Sequence, residues 1–309
     1  MDFVAINEPF GSPETLGTLL EFDSVQGRFP ETCSATESEL QCGEQALALT
    51  RHRSPADIPW DELGVDLVLE CSGQFRTAET AGQHLGGRAR RVVVSAPLSG
   101  GPPNIVMGVN DDQAGLGMQP IVSAASCTTN CLAPIVRVLH DAVGIERGLV
   151  TTIHNPTNTQ SVHDAPHKDP RRARASMLSL IPTSTNSATA VTQIVPELKG
   201  KLDSIAVRAP VLNASITDCV FQVARDVTVD EVNGIFEGAS RSDRLAGILG
   251  YETRPLVSVD YARDPRSGIV DGLSTRVTDG RLVKVLAWYD NEWGYANRMV
   301  ELAALVAVS

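Results

Sequence analysis

Apolar positions along this 309-residue chain change their rhythm near its middle. In the first half they come as short unbroken runs, Asp2–Asn7, Val65–Cys71 and Arg91–Ala96, rich in Val, Ile and Leu. That pattern predicts strands buried on both faces of a parallel sheet. Ser12–Phe22 and Thr77–Leu85 carry helical spacing between them. From about Gly148 the runs lengthen and alternate: Leu149–His154, Ser204–Ala209, Ser215–Ala224 and Leu282–Asp290 predict strands with one solvated face. Ser187–Leu198 and Val229–Ala239 predict helices among them, and Asn291–Val308 a closing amphipathic helix. The fold class is therefore α/β, a doubly wound first domain followed by an α+β domain with a mostly antiparallel sheet.

The junction between the halves holds the most informative chemistry. Pro120–Ser123 predicts a short strand, and Leu132, Ile135, Val136 and Leu139 predict a helix from Thr129 to about Ala142. Cys127 then lies in or just ahead of the first turn, with Ser126 and Thr128 as capping candidates. Unpaired N–H groups and the positive dipole end favour a thiolate there, and an imidazolium at His154 on the next strand favours it further. An isolated cysteine is more often a small buried hydrophobe; the flanking SAASCTTN and the downstream histidine reverse that reading.

Composition narrows the setting. A hydrophobic content of 42% and a mean hydropathy of −0.03 describe an ordinary globular chain. No apolar run is long enough to span a bilayer, and Met-Asp-Phe is not a signal-peptide start. A net charge of −11 argues against general affinity for nucleic acid or anionic membranes, including at Arg171-Arg172-Ala173-Arg174. Cys33, Cys42, Cys71, Cys127, Cys131 and Cys219 lack disulfide-framework spacing, so reduced thiols and a cytoplasmic location are expected. No metal site is expected: Pro166 breaks the helix that a His163/His167 pair would need.

Ser123–Asn130 (SAASCTTN), Thr151–Gln160 (TTIHNPTNTQ) and Trp288–Tyr295 (WYDNEWGY) together resemble the phosphorylating glyceraldehyde-3-phosphate dehydrogenase family over essentially the whole chain. The resemblance implies a Rossmann-type NAD-binding domain over 1–126, a catalytic domain over 127–290, and a C-terminal helix, 291–309, that packs back on the first. It implies Cys127 as nucleophile and His154 as its base. It places Glu8, Arg53, Ser95 and Asn291 on NAD, with Asn291 holding the nicotinamide carboxamide. Thr157, Thr159 and Arg208 would surround the C3 phosphate of glyceraldehyde 3-phosphate. Ser126, Thr128, Arg172, Thr185 and Asn186 would surround inorganic phosphate, with Asn186 where the family normally has Gly. A homotetramer is the expected assembly.

A dinucleotide domain should open with strand, G-x-G-x-x-G turn and helix. No such fingerprint occurs near the start, and the chain begins at what resembles the family's second strand. About one βα unit, roughly 30 residues, is expected upstream. Without that central strand, neighbouring strand edges should stay unpaired. Ser99-Gly100-Gly101-Pro102 does not substitute, because Pro102-Pro103 offers no N–H groups.

The implied reaction is NAD-dependent oxidation through a Cys127 thioester released by phosphate. Phe22–Phe29, Leu212–Ser215 and Asp264–Ser267 resemble the arsenic-resistance-associated branch, which would make arsenate the releasing anion. A catalytically impaired oligomerisation or interaction protein of the same fold, and an erythrose-4-phosphate dehydrogenase, are the alternative readings.

Overall fold

A computed structural model describes residues 1–98, 101–113 and 119–307; Ser99 and Gly100 of the glycine run and the predicted helix end at Val308 lie outside them. The described parts of Met1–Pro103 and Asp112–Ser123, with residues 302–307, form one compact unit. Asn104–Asp111 and Ala124–Glu301 form the second. The closing helix is divided between the two at Glu301.

The first unit runs β1 (Ala5–Asn7), α1 (Pro13–Glu21), β2 (Phe22–Asp23), β3 (Gly27–Arg28), β4 (Cys33–Ala35), β5 (Glu39–Cys42), β6 (Gln45–Thr50), β7 (Leu67–Glu70), α2 (Ala78–Ala81), β8 (Arg91–Val94) and β9 (Ile121–Ser123). Helix α1 starts where Ser12 Oγ accepts the Thr15 N–H at 3.2 Å and Pro13 occupies the first turn. The predicted helix over Thr77–Leu85 is shorter: Thr77 and Thr80 form a capping box, and after Ala81 the chain tightens into a 3-10 turn over Gly82–His84. Strands β7, β8 and β9 are parallel neighbours, and Val92, Val93 and Val94 are all but inaccessible, as a two-sided apolar run requires. A second sheet has the order β1-β6-β5-β4, with β1 and β6 parallel. Among the described residues β1 and β4 terminate this sheet, and β7 and β9 the other.

The cysteines are not all reduced, contrary to what their spacing predicts. Cys33 and Cys42 are cross-strand partners of β4 and β5, with Cα atoms 4.2 Å apart, and their sulfurs are bonded as a disulfide. The pairing register, not linear spacing, brings them together. Cys71, Cys127, Cys131 and Cys219 are free thiols.

The second unit runs α3 (Cys127–Val143), β10 (Ile145–His154), β11 (Ile181–Ser184), α4 (Ser187–Ile194), β12 (Leu202–Arg208), β13 (Ser215–Val223), α5 (Val229–Ser240), β14 (Leu249–Glu252), β15 (Gly268–Asp271), β16 (Arg276–Thr278), β17 (Leu282–Tyr289) and α6 (Trp293–Ala307). Its sheet has the order β11-β12-β10-β13-β17-β15-β14, with β16 also on β17. Most neighbours are antiparallel, but β10 and β12 are parallel, in a register that places His154 opposite Arg208. The apolar face of α3 (Leu132, Ile135, Val136, Leu139) packs with Val150, Phe221, Val283 and Val285 of the sheet in one continuous core. Strand β15 approaches α3 so closely that a Cβ on Gly268 would lie 3.1 Å from Cys131 Sγ and 3.2 Å from the Cys131 carbonyl.

That approach fixes where the first turns of α3 sit. Gly268→Ala should destabilise the protein by about 1–3 kcal/mol through overpacking, read as a lower denaturant midpoint with an unchanged slope. An unchanged midpoint would show that α3 can retreat freely.

Candidate active site

Between β9 and α3 the chain turns through Ala125, whose φ of 57° is in the left-handed region. Three contacts hold the turn. Ser126 Oγ caps the helix by accepting the Thr129 N–H at 3.1 Å. Asn130 Nδ2 donates to the Ala124 carbonyl at 2.8 Å and to the Ser126 carbonyl at 3.0 Å. Tyr295 Oη donates to the Ala125 carbonyl at 3.2 Å. Cys127 becomes the first helical residue. Thr128, the other capping candidate, instead pairs its hydroxyl with that of buried Tyr289 at 2.9 Å.

His154 ends β10 and presents Nε2 to Cys127 Sγ at 3.5 Å. Its Nδ1 lies between the Asn155 carbonyl at 2.8 Å, which can only accept, and Arg208 Nη1 at 2.7 Å, which can only donate. We place the ring proton on Nδ1, which leaves the lone pair of Nε2 toward the thiol and makes the arginine approach a charge contact and not a hydrogen bond. Arg208, directly across from His154 at the end of parallel β12, brings Nη1 within 2.7 Å of the same Nδ1 and 3.0 Å of the same carbonyl. Burial, reinforced by the Arg208 charge, pulls the His154 pKa down to about 4. Burial pushes the Cys127 thiol up, against the opposing pull of Thr128, the helix amides and Arg208. Burial thus opposes, at both partners, the imidazolium–thiolate pair that the helix start favours.

These side chains line a cavity of about 640 Å³ together with Ser126, Thr128, Thr157, Thr185 and Asn291. Gln160, which sequence reasoning passed over, organises one wall: its Oε1 accepts the Thr157 N–H at 2.9 Å and reaches the hydroxyls of Thr157 and Thr159 at 3.2 and 3.4 Å. Thr159 itself is outside the lining and touches it through Thr157 Oγ1, at 3.0 Å. Arg208 Nε and Thr152 Oγ1 are buried without a partner. Unsatisfied donors in a polar cavity suit an anionic ligand.

Two residues assigned to the inorganic-anion site are not among the side chains lining this cavity, although Asn186 lies between lining residues Thr185 and Ser187 and the Arg172 charge bears on Arg208. Arg172 donates through Nε to Thr183 Oγ1 at 2.7 Å and is 3.6 Å from Asp169, and it does not line the cavity. Asn186 precedes α4 without a side-chain capping bond and is also outside the lining. Thr185, also assigned to that site, lines the cavity, with its hydroxyl 2.7 Å from that of Ser187.

Comparison with known proteins agrees with this chemistry. Residues 1–78 match the family model for the glyceraldehyde 3-phosphate dehydrogenase NAD-binding domain, and residues 126–291 match that for its C-terminal domain. Glyceraldehyde-3-phosphate dehydrogenase 3 of a Nostoc species is 55% identical over all of this chain and 92% of its own length. Glyceraldehyde-3-phosphate dehydrogenase 1 of Bacillus cereus is 47% identical over 98% of the chain and 90% of its own length. The Cereibacter sphaeroides glyceraldehyde-3-phosphate dehydrogenase is 48% identical over the same shares. The chain belongs to the glyceraldehyde-3-phosphate dehydrogenase family. It is an NAD-dependent oxidoreductase.

The residues of this family member fit that cofactor. Asn291 follows β17, and its Oδ1 accepts from Ser215 Oγ at 3.1 Å, which orients the amide and leaves Nδ2 to donate to a carboxamide oxygen. Asp290 fixes the backbone on either side: Oδ1 accepts the N–H groups of Glu292 and Trp293 at 2.8 Å, and Oδ2 accepts from Asn213 at 2.7 Å. In the first unit, Glu8, Arg53 and Ser95 follow β1, β6 and β8 at the carboxyl ends of parallel strands, where doubly wound sheets bind nucleotides. Phe10 joins two of them, donating its N–H to Glu8 Oε1 at 2.8 Å and lying 5.2 Å beneath the Arg53 guanidinium.

The geometry makes the thiol dependent on its neighbour. His154→Asn should slow alkylation of Cys127 by iodoacetamide at pH 7 by tenfold or more and move its pH dependence to the alkaline side. An unchanged rate would remove the histidine from thiol activation. The depressed His154 pKa has a stability consequence as well. Between the unfolded value of about 6.5 and the folded value of about 4, the unfolded chain takes the proton first. Stability from keeping this ring neutral is therefore present above pH 6.5 and lost as the pH falls through 4, by an amount on the order of 3 kcal/mol. His154→Asn should show correspondingly less loss of denaturant midpoint between pH 7.5 and 4.5 than the unsubstituted protein.

Proposed function

We propose that this enzyme oxidises glyceraldehyde 3-phosphate to a thioester on Cys127 and releases it with inorganic phosphate as 1,3-bisphosphoglycerate. The observation that carries this reading is the 3.5 Å approach of Cys127 Sγ to His154 Nε2 in a cavity that also holds Arg208, Thr157 and Asn291. As Sγ adds to the aldehyde carbon, its proton passes to His154 Nε2. The developing oxyanion lies at the start of α3, where unpaired helix N–H groups stabilise negative charge. His154 returns that proton to the oxyanion, giving the hemithioacetal, and takes it back from the hydroxyl as the carbon is oxidised. NAD, when bound, supplies the hydride acceptor. Asn291 orients the nicotinamide through its amide, while Glu8, Arg53 and Ser95 take the nucleotide end. Attack of a phosphate oxygen on the thioester carbonyl then expels the Cys127 thiolate.

Arg208, with Thr157 and, through it, Thr159, takes the C3 phosphate; Ser126, Thr128 and Thr185 take the inorganic anion. The relatives' names, glyceraldehyde-3-phosphate dehydrogenase throughout, favour phosphate over arsenate as the releasing anion. A homotetramer is supported by large apolar side chains left at the surface of the second unit: Leu149, Leu178 and Leu180 are 67%, 87% and 70% exposed. The free thiols Cys71, Cys127, Cys131 and Cys219 favour a reducing cytoplasm, and the Cys33–Cys42 disulfide argues the other way.

Cys127→Ser should abolish NADH formation from glyceraldehyde 3-phosphate while leaving the circular dichroism spectrum and NAD binding intact. Rapid quenching of the unsubstituted enzyme without inorganic anion should leave a 3-phosphoglyceryl adduct on the tryptic peptide containing Cys127. Turnover by the serine variant within tenfold of the parent sinks the covalent route.

A further inference from the structure

Arg208 sits at two places at once. One side of its guanidinium is 2.7 Å from His154 Nδ1 and 3.0 Å from the Asn155 carbonyl that fixes the ring. Its Nε is buried with no partner, and the side chain lines the cavity beside Thr157. The same cation therefore presses on the base and waits for an anion. Both positions are built into the backbone, because His154 and Arg208 are register partners at the ends of neighbouring parallel strands.

We propose that occupancy of the substrate-phosphate subsite at Arg208 raises the proton affinity of His154, so that the base becomes effective when a phosphorylated substrate is in place. The inference rests on the assignment of Arg208 to the C3 phosphate. With the subsite empty, a full positive charge beside Nδ1 opposes a second positive charge on the ring. A phosphate dianion docked on the guanidinium offsets that charge, and an imidazolium can then form at the moment the Cys127 or hemithioacetal proton must be accepted. Burial alone also depresses the ring, so its basicity is recovered only in part.

Other groups around the ring do not supply the same control. Cys127 faces Nε2 from the start of α3 and is the proton donor itself. Tyr289 meets the ring edge-on at 6.1 Å from β17, with its hydroxyl held by Thr128 and its ionisation pushed far up by burial. The Arg172 charge bears on Arg208, and Arg172 is itself bound to Thr183 and near Asp169. Glu292 is the carboxylate lining the cavity and follows β17 rather than β10 or β12. A bound phosphate on Arg208 is the charge that arrives with substrate.

The test follows the His154 Cε1 proton by NMR in full-length, histidine-labelled protein saturated with NAD, with the signal assigned by its loss in His154→Asn. Glycerol 3-phosphate should move the titration midpoint up by about one pH unit, a tenfold gain in proton affinity, and glycerol at equal concentration should leave it in place. Arg208→Met should raise the midpoint of the free protein and remove the response, whereas Arg208→Lys should keep part of both. Glycerol 3-phosphate binding that perturbs Thr157 but leaves the His154 midpoint unmoved overturns the coupling and leaves the phosphate assignment standing. Absence of binding at millimolar concentration overturns the phosphate assignment, and the coupling falls with it.

Discussion

The left-handed turn at Ala125 is the constraint on which the active site depends. A non-glycine residue there costs about 1–2 kcal/mol, so the turn persists only because its neighbours over-determine it. Asn130 ties both flanking carbonyls from within the helix, Ser126 caps the first turn, and Tyr295 holds the carbonyl of Ala125 itself. The Ser-Cys-Thr-Thr-Asn motif thereby acquires a physical reading. Its serine starts the helix, its asparagine closes the turn from one helical turn away, and the cysteine between them faces the cavity. Thr128 links this corner to Tyr289, and Asp290 and Asn291 follow Tyr289 directly, so the nucleophile and the nicotinamide-orienting amide share one support.

Electrostatics then decides how the thiol is used. A helix start stabilises a thiolate by up to about 2 kcal/mol in favourable geometry, and burial of an unpaired anion opposes it by more than that. In the free site burial wins at both partners: the thiol is pushed up and the imidazole down. A neutral histidine is then able to accept the thiol proton at Nε2 as an electrophile arrives.

Much of this was legible from the sequence, and the gaps have identifiable causes. Cys127, His154 and Asn291 each sit at the end of a strand or the start of a helix, and apolar periodicity locates such ends well. Gly268 and Gln160 were passed over because their roles exist only across the fold: one is a close approach of β15 to α3, the other a gathering of donors inside a loop. The strands from Cys33 to Thr50 were missed because they form a short hairpin of mixed polarity without a sustained period-two pattern, and with them the Cys33–Cys42 pairing. For Arg172 and Asn186 the resemblance supplies a role on an anion, while the fold shows only their local setting: Arg172 bonded to Thr183, and Asn186 between the lining residues Thr185 and Ser187.

The pairing of β10 with β12 is the topological choice that gives the site its character. In a sheet whose other contacts around β10 are antiparallel, this parallel pair brings two carboxyl ends to the same edge, 54 residues apart in sequence. An antiparallel partner would have set the start of β12, not its end, beside His154, and no arginine at position 208 could have reached the ring. Once His154 and Arg208 are register neighbours, neither can be tuned alone: a charge placed to hold an anion also bears on the base. Separation of the two roles would require a shift of register, and a one-residue slip would turn every side chain of β12 to the other face of the sheet. The coupling between anion and base is in that sense a property of the strand pairing before it is a property of either side chain.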